Sequence, residues 1–262
     1  MSNTFLSKKE IREKASSIFT KHGAPGTSEK YTHIPTERVI DDMALLGWGV
    51  VDVKQINARK GEGFQKHLVI FRNNDIVIEG EHGDTVYPQI LLTNSHDGKN
   101  AFTFAAGLYR LICSNGLVIA TQEFENVKIR HYGYTFETLQ ENIRAMVERL
   151  PLTVESMNKF KQVELGQEQA LEFAKRAMET RFKPEELEVI DINLEELLTP
   201  TRPEDRKSDL WSTFNVVQEK LVHGMFSYTY GTKSRKARKI KNFKQDMKLN
   251  SKLYELALEY AN

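Results

Sequence analysis

Apolar residues recur at helical spacing through the first 49 residues. The positions that mark the first helix are Ile11, Ala15, Ile18 and Phe19. Turn-forming residues follow from His22 to Ser28, and a second helix is predicted to begin at Pro35-Thr36, where an apolar face resumes. Residues 1–49 are therefore predicted to form an N-terminal helical segment.

From residue 50 to residue 134 the pattern changes to short runs rich in β-branched and aromatic residues, which is typical of strands. The predicted strands are Val51–Val53, Lys66–Phe71, Ile76–Ile78, Gln89–Leu92, Phe102–Ile112 and Val127–His131. Asp97-Gly98 lies between two of these runs and predicts a hairpin. Residues 50–134 are the predicted sheet.

The run from Phe102 to Ile112 also fits a helix, through Phe104, Leu108 and Leu111. A strand is favoured because apolar residues alternate and because the preceding Asp-Gly turn offers no helix cap. This strand register places Arg110 on the same face as the apolar residues.

After Thr135 the spacing is helical again. The predicted helices are Thr135–Leu150, Val154–Lys161, Gln167–Phe182, Pro184–Val189 and Pro203–Val222, with Pro151 ending the first of them. The Pro-rich stretch Thr199–Pro203 separates a helical region, 135–200, from C-terminal helices with a basic aromatic run, 201–262. The order of elements predicts an α+β fold, with a central, mainly antiparallel β-sheet flanked by N-terminal helices and a C-terminal helical half.

Composition narrows the class of protein. Of 262 residues 40% are hydrophobic and 28% charged, which is typical of a globular chain, and the single cysteine, Cys113, cannot form an internal disulfide. No apolar run long enough for a signal sequence or a membrane helix occurs, so we expect a cytoplasmic protein without membrane association.

Charge is unevenly distributed, although the formal net charge is only +1. Residues 184–209, the acidic segment, hold nine acidic against three basic residues, net −6. Residues 225–252 hold nine basic residues against Asp246, net +8. This polarity indicates a surface for a charged partner.

The basic run, Lys233–Lys244, directly follows Tyr228 and Tyr230. Its cations are Lys233, Arg235, Lys236, Arg238, Lys239, Lys241 and Lys244. Cations neutralise phosphates and aromatic rings stack on unpaired bases, so the combination predicts binding of single-stranded DNA or RNA. The alternative is a solvated loop whose charges pair with the acidic segment.

A second group of candidate residues is expected where the predicted strands ending near Cys113 and His131 meet. Arg110 on an apolar face needs a carboxylate, carbonyls or a phosphate, and Asn115, Arg130 and His131 are predicted to lie beside it. An ion pair is the structural alternative to a phosphate site.

No catalytic or metal-binding motif is complete. The histidines lack the close spacing of metal ligands, and neither a P-loop nor a nucleophile elbow occurs, so no catalytic residue, metal or cofactor is expected. His96-Asp97 brings an imidazole and a carboxylate together, but in a turn that Asp-Gly chemistry explains equally well.

Several stretches resemble a large phage- and plasmid-encoded family of unknown function. They are Tyr31–Thr36, Gly47-Trp48, Asn94–Gly98, Arg110–Leu117, Ile129–His131 and Lys244–Ala257. The resemblance implies a mobile-element origin, and with it a bacterial host cytoplasm, but no activity.

Three functions fit these observations. The leading one is a non-enzymatic protein that binds single-stranded DNA or RNA in replication, recombination or protection of a mobile genome. The second is an inhibitor of a host defence protein, in which the acidic segment imitates nucleic-acid phosphate. The third is an enzyme acting on nucleic acid or nucleotides, with His96, Asp97, Arg110 and His131 in one cleft. A second copy of the chain is a further candidate partner.

Overall fold

The computed structural model describes residues 4–29, 31–56, 63–79, 85–100, 102–110, 115–119, 127–129 and 135–262. The chain forms two compact units, Met1–Leu150 and Pro151–Asn262.

The first unit opens with short helices and continues as a sheet. Its helices are α1 (Lys8–Lys14), a 3₁₀ helix (Ser16–Phe19) and α2 (Thr36–Leu45). Its strands are β1 (Gly49–Gln55), β2 (His67–Arg72), β3 (Ile78–Glu79), β4 (Thr85–Asn94), β5 (Phe102–Arg110), β6 (Asn115–Ile119) and β7 (Val127–Ile129). The start of α1 is set by a capping box, in which Ser7 accepts from the Glu10 amide and Glu10 accepts from the Ser7 amide.

The strands pair antiparallel in the order β1-β2-β4-β5-β6, with β3 beside β4 and β7 beside β5. The predicted antiparallel sheet is thus confirmed. The β4–β5 hairpin has Thr93 opposite Thr103, and its loop contains Gly98 at φ +72°, as the Asp-Gly signal requires.

Residues Phe102–Arg110 belong to the run that also fitted a helix, and in the structure they form strand β5. Strand β6 was not predicted, since Asn115-Gly116 has the composition of a turn. In the structure these residues instead pair with Arg110 and Tyr109 of β5.

The core of this unit combines one face of the sheet with α2. Phe71, Phe102 and Phe104 are fully buried, as are Val39 and Met43 of α2. Each such side chain contributes about 1.5–3 kcal/mol by leaving water.

The second unit is mainly helical. Its helices are α3 (Phe136–Gln162, which begins in the first unit), α4 (Gln167–Met178), α5 (Pro184–Leu187), α6 (Leu194–Leu198), a 3₁₀ helix (Pro203–Asp205), α7 (Leu210–His223) and α8 (Phe243–Ala261). Its strands are β8 (Ile190–Ile192), β9 (Ser227–Tyr230) and β10 (Lys233–Lys236). These helices confirm the predicted helical C-terminal half.

The expectation that a helix ends at Pro151 is wrong, because α3 runs through that residue to Gln162. Buried positions recur in one helical phase on both sides of the proline. They are Leu139, Ile143, Met146, Met157 and Phe160. Burial along this stripe outweighs the loss of one backbone hydrogen bond at the proline.

The strands β8, β9 and β10 form a second sheet, which the sequence pattern did not predict. Its strands are short, and β10 has no apolar residue, so the usual strand pattern is missing. None of the described helices combines the length and the apolar character that a membrane span requires.

Candidate nucleic-acid interface

The basic run begins in the three-stranded sheet, whose antiparallel order is β10-β9-β8. Tyr228 lies opposite Arg235, and Tyr230 lies opposite Lys233. Directly opposed residues share a face of a sheet, so both tyrosines and both cations lie on one side of the hairpin. The two-residue turn Gly231-Thr232, with Gly231 at φ +60°, sets this register.

A pocket of about 710 Å³ opens beside this hairpin and is called the basic pocket here. Its lining consists of Arg181, Phe182, Tyr228, Arg235, Lys236, Ala237 and Arg238. Four of these side chains are cationic, two are aromatic, and none of the described residues that line it is acidic. The pocket therefore combines positive charge with aromatic faces.

Backbone contacts hold the segment that follows β10. The Ala237 amide donates to the Phe226 carbonyl at 2.9 Å, and the Ile240 amide donates to the Val222 carbonyl at 2.9 Å. Because the backbone forms these anchors, the side chains between them remain exposed to solvent.

Gly224 allows this segment to approach the end of α7. It adopts φ +68°, and a Cβ atom placed there would lie 2.5 Å from the Arg238 carbonyl carbon and 2.7 Å from the Ala237 oxygen. Only glycine combines this conformation with this close contact.

Arg181 forms the inner wall of the basic pocket. Its Nη2 donates to the Arg238 carbonyl oxygen at 2.5 Å, and its guanidinium carbon lies 5.1 Å from the centre of the Phe226 ring. Nη1 is buried and has no hydrogen-bond acceptor among the described residues. Burial lowers the pKa of Arg181, while the nearby Tyr228 hydroxyl acts in the opposite direction.

The aromatic side chains form a connected wall. Phe182 contacts Tyr228 edge-on, with ring centres 5.8 Å apart, and Phe226 at 6.3 Å. Phe226 is buried, whereas Tyr228 is half-buried and reaches the pocket. Tyr230 is 47% exposed, and Arg235 lies over its ring at 5.0 Å.

The cations of the basic run make no ion pair with the carboxylates that the structure describes. Among the described residues, which include the whole acidic segment, no carboxylate lies within ion-pair distance of any cation from Lys233 to Lys244. Within the acidic segment, Arg202 contacts Asp205 and also Glu219 of α7, while Glu196 accepts from the Ser227 backbone amide. The alternative of a loop neutralised by the acidic segment therefore lacks the ion pairs it requires.

The predicted residues are divided among several places. Arg235, Lys236, Arg238 and Tyr228 line the basic pocket. The remaining residues of the run, Lys233, Lys239, Lys241 and Lys244, are exposed outside the pocket lining.

The other predicted neighbourhood lies in the first unit. Arg110 and Asn115 are register partners of β5 and β6, so their backbones are adjacent. Arg130 and His131 lie outside the described residues.

Sequence reasoning missed Arg181 and Phe182. They follow α4 and lie far from the basic run in sequence, 57 residues before Arg238 in the case of Arg181. The available signal was an arginine and an aromatic residue adjacent to Lys183, at the predicted end of a helix.

A second polar cluster is buried in the first unit around His67. Thr36 Oγ1 accepts from the Asn94 side-chain amide at 2.9 Å and lies 2.9 Å from His67 Nε2. The Gln65 carbonyl can only accept, so His67 Nδ1, at 3.0 Å from it, carries the hydrogen and also faces the Ser17 hydroxyl at 2.9 Å. In the neutral ring Nε2 then accepts from Thr36 Oγ1. Burial lowers the pKa of His67 to about 4.

His96 joins this cluster through ring contacts, at 4.5 Å from His33 and 5.2 Å from His67. Its neighbour Asp97 accepts from Ser95 Oγ at 2.7 Å and from the Lys99 amide at 3.0 Å, as a turn carboxylate does. No group of three or more potential ligands that could hold a metal ion occurs in the described part of the chain. These contacts account for the cluster as a packed polar core.

Comparison with known proteins gives a family but no activity. The profile of a family described as "Domain of unknown function (DUF932)" matches residues 25–254. The UPF0380 protein YafZ of Escherichia coli (strain K12) is 28% identical over 255 residues, which cover 96% of this chain and 90% of that protein. The UPF0380 protein YfjQ of the same strain is 27% identical over the same extent. No solved structure matches the chain significantly.

Proposed function

The chain belongs to the DUF932 family, and from the chemistry of its basic pocket we propose that it binds single-stranded nucleic acid without acting as an enzyme. The observation that carries this proposal is the pocket itself, where four cations and two aromatic side chains converge. Phosphates contact the cations, and a base stacks on Tyr228.

The preference for single strands follows from the position of the aromatic ring. In a duplex each base is stacked between its neighbours, so its face is inaccessible to a tyrosine. In a single strand the base is free to stack while its flanking phosphates contact Arg235, Lys236 and Arg238.

For the biological role we propose replication, recombination or protection of a mobile genetic element in a bacterial host. This rests on the resemblance of the Asn94–Gly98 and Arg110–Leu117 motifs to phage- and plasmid-encoded proteins. Binding without sequence preference suits all three roles, because contacts to phosphates carry no sequence information.

A second candidate is inhibition of a host defence protein through the acidic segment. It is favoured by the exposure of Glu185, Glu188, Asp191 and Glu195, which present negative charge to solvent. In this case the partner would be a protein with a basic nucleic-acid site.

A direct binding assay separates the two candidates. We expect a labelled single-stranded oligonucleotide to bind at low salt more tightly than a duplex of the same sequence, as measured by fluorescence anisotropy. RNA of matched sequence tests whether the 2′-hydroxyl matters. If neither DNA nor RNA binds at low salt, the nucleic-acid proposal is wrong and the second candidate is preferred.

A further inference from the structure

The basic pocket carries more positive charge than is needed to neutralise one phosphate within a strand. Arg181, Arg235, Lys236 and Arg238 line one cavity, and none of the described residues lining it offers a carboxylate. A phosphodiester within a strand carries a single negative charge. A phosphate monoester carries close to two charges at neutral pH and has three acceptor oxygens.

Arg181 is the residue that distinguishes this cavity from a surface patch. Its guanidinium is positioned by the Arg238 carbonyl and the Phe226 ring, so it is held in place before any ligand binds. Because Arg181 lines the cavity and is positioned in advance, its guanidinium can meet a phosphate oxygen there with little further ordering cost.

The aromatic wall supplies the second part of the site. Tyr228 and Phe182 line the same cavity, and its volume of about 710 Å³ is of the size found for small-ligand sites. A terminal nucleotide therefore has room for its base against Tyr228 and its phosphate against Arg181.

We propose that the basic pocket captures the phosphorylated end of a single strand, with the terminal phosphate monoester bound by Arg181 and the neighbouring cations. This inference rests on the proposed function and specifies its ligand. The same monoester occurs on a free nucleotide, and the strand end is favoured because Lys233, Lys239 and Lys241 lie exposed outside the pocket lining, where only a continuing backbone would meet them.

The test compares four ligands with one protein. They are one fluorescent single strand with a 5′-phosphate, the same strand with a 3′-phosphate, the same strand with hydroxyl ends, and a nucleoside 5′-monophosphate as competitor. We expect one of the phosphorylated strands to bind about tenfold more tightly than the hydroxyl strand, as charge-assisted hydrogen bonds predict.

Two variants assign the effect to the pocket. Arg181→Lys keeps the charge but replaces the planar guanidinium fork by a single ammonium, so the affinity for the phosphorylated end should fall by a larger factor than the affinity for the hydroxyl strand does. Arg235→Ala removes an exposed cation of the same cavity and should reduce the preference without affecting the fold.

Equal binding of all three strands by the wild type would overturn the end-capture inference and leave the proposed function intact. If the mononucleotide displaces the phosphorylated strand when both are present at the same concentration, the assignment of the pocket to a strand end is wrong. If no strand binds at all, both the proposed function and this inference fail.

Discussion

Gly224 shows how a single residue shapes the basic pocket. Its positive φ ends α7, and the absence of a side chain lets the backbone of Ala237 and Arg238 pass directly against it. Gly231 has a similar φ of +60°, yet no atom lies within 4 Å of the position that its Cβ would occupy. A comparison of the two glycines therefore separates the cost of a strained backbone from the cost of lost close packing.

We expect Gly224→Ala to destabilise the protein more than Gly231→Ala does. The left-handed conformation costs roughly 1–2 kcal/mol at either site, but only at Gly224 must the pocket segment also move. Urea unfolding measures both losses, and anisotropy should show weaker binding of a single strand for Gly224→Ala. Equal losses of stability would mean that the close contact at Gly224 contributes nothing.

His67 leads to a prediction about pH. Its pKa is about 4 in the folded protein against 6.5 as the ordinary value, so between these values the unfolded chain binds more protons than the folded chain. Stability should therefore fall as the pH decreases from about 6.5 to 4, by about 3 kcal/mol in total.

Thermal melts between pH 7 and pH 4.5 test this expectation. His67→Gln should be less stable at pH 7 but should depend less on pH, because the buried imidazole is gone. His22→Gln is the matched control, since the His22 side chain is exposed. A pH dependence unchanged in His67→Gln would assign the acid sensitivity to other groups.

At the scale of elements, the β9–β10 hairpin was the main feature that the sequence pattern did not predict. Four-residue strands give too few positions for an alternation to be recognised, and the burial that usually marks a strand is absent because β10 is exposed throughout. The available signal was Tyr228-Thr229-Tyr230 followed by Gly231, which combines strand-forming residues with a turn.

The hairpin yields a prediction about stacking. Tyr228→Leu should weaken binding of a single strand by about 1–3 kcal/mol and have little effect on a duplex, because a base face is available only in the single strand. Tyr228→Phe keeps the ring and should bind nearly as the wild type does. Parallel losses on single strand and duplex would exclude stacking as the cause.

At the scale of the whole molecule, the charge polarity of the chain remains on side chains in contact with solvent, because the cations of the basic run and Glu185, Glu188, Asp191 and Glu195 of the acidic segment are exposed. The cations of the basic run make no ion pair with the described carboxylates, so they remain available to a polyanion. The near-zero net charge therefore conceals a cationic surface in the second unit.

Salt dependence measures how many of these cations contact phosphate. Replacing Arg235, Lys236, Arg238 and Lys239 together by alanine should flatten the plot of log affinity against log salt by about 0.7 per lost contact on a single strand. The control replaces four exposed lysines outside the site, Lys9, Lys21, Lys159 and Lys175, and changes the net charge equally. Equal slopes for the two variants would exclude direct phosphate contacts by the basic run.

Local patterns sufficed for much of the fold. Alternating apolar residues and the Asp97-Gly98 turn predicted the antiparallel sheet, and helical spacing predicted α2, α4 and α7, because these signals depend on neighbours within a few residues. Pro151 misled the prediction, since a local rule about proline was outweighed by burial along α3. Likewise β6 was missed because its residues pair with β5 rather than forming a turn.

By itself the sequence determined the α+β class, the polarity of charge and the presence of aromatic residues beside the basic run. The tertiary structure decided which of these side chains share a cavity. Arg181 and Phe182 reach Tyr228 and Arg238 only through packing of α4, α7 and the hairpin, across as many as 57 residues of chain. Periodicity encodes which face of an element is buried, whereas the meeting of distant side chains depends on how those faces pack, and no local spacing records it.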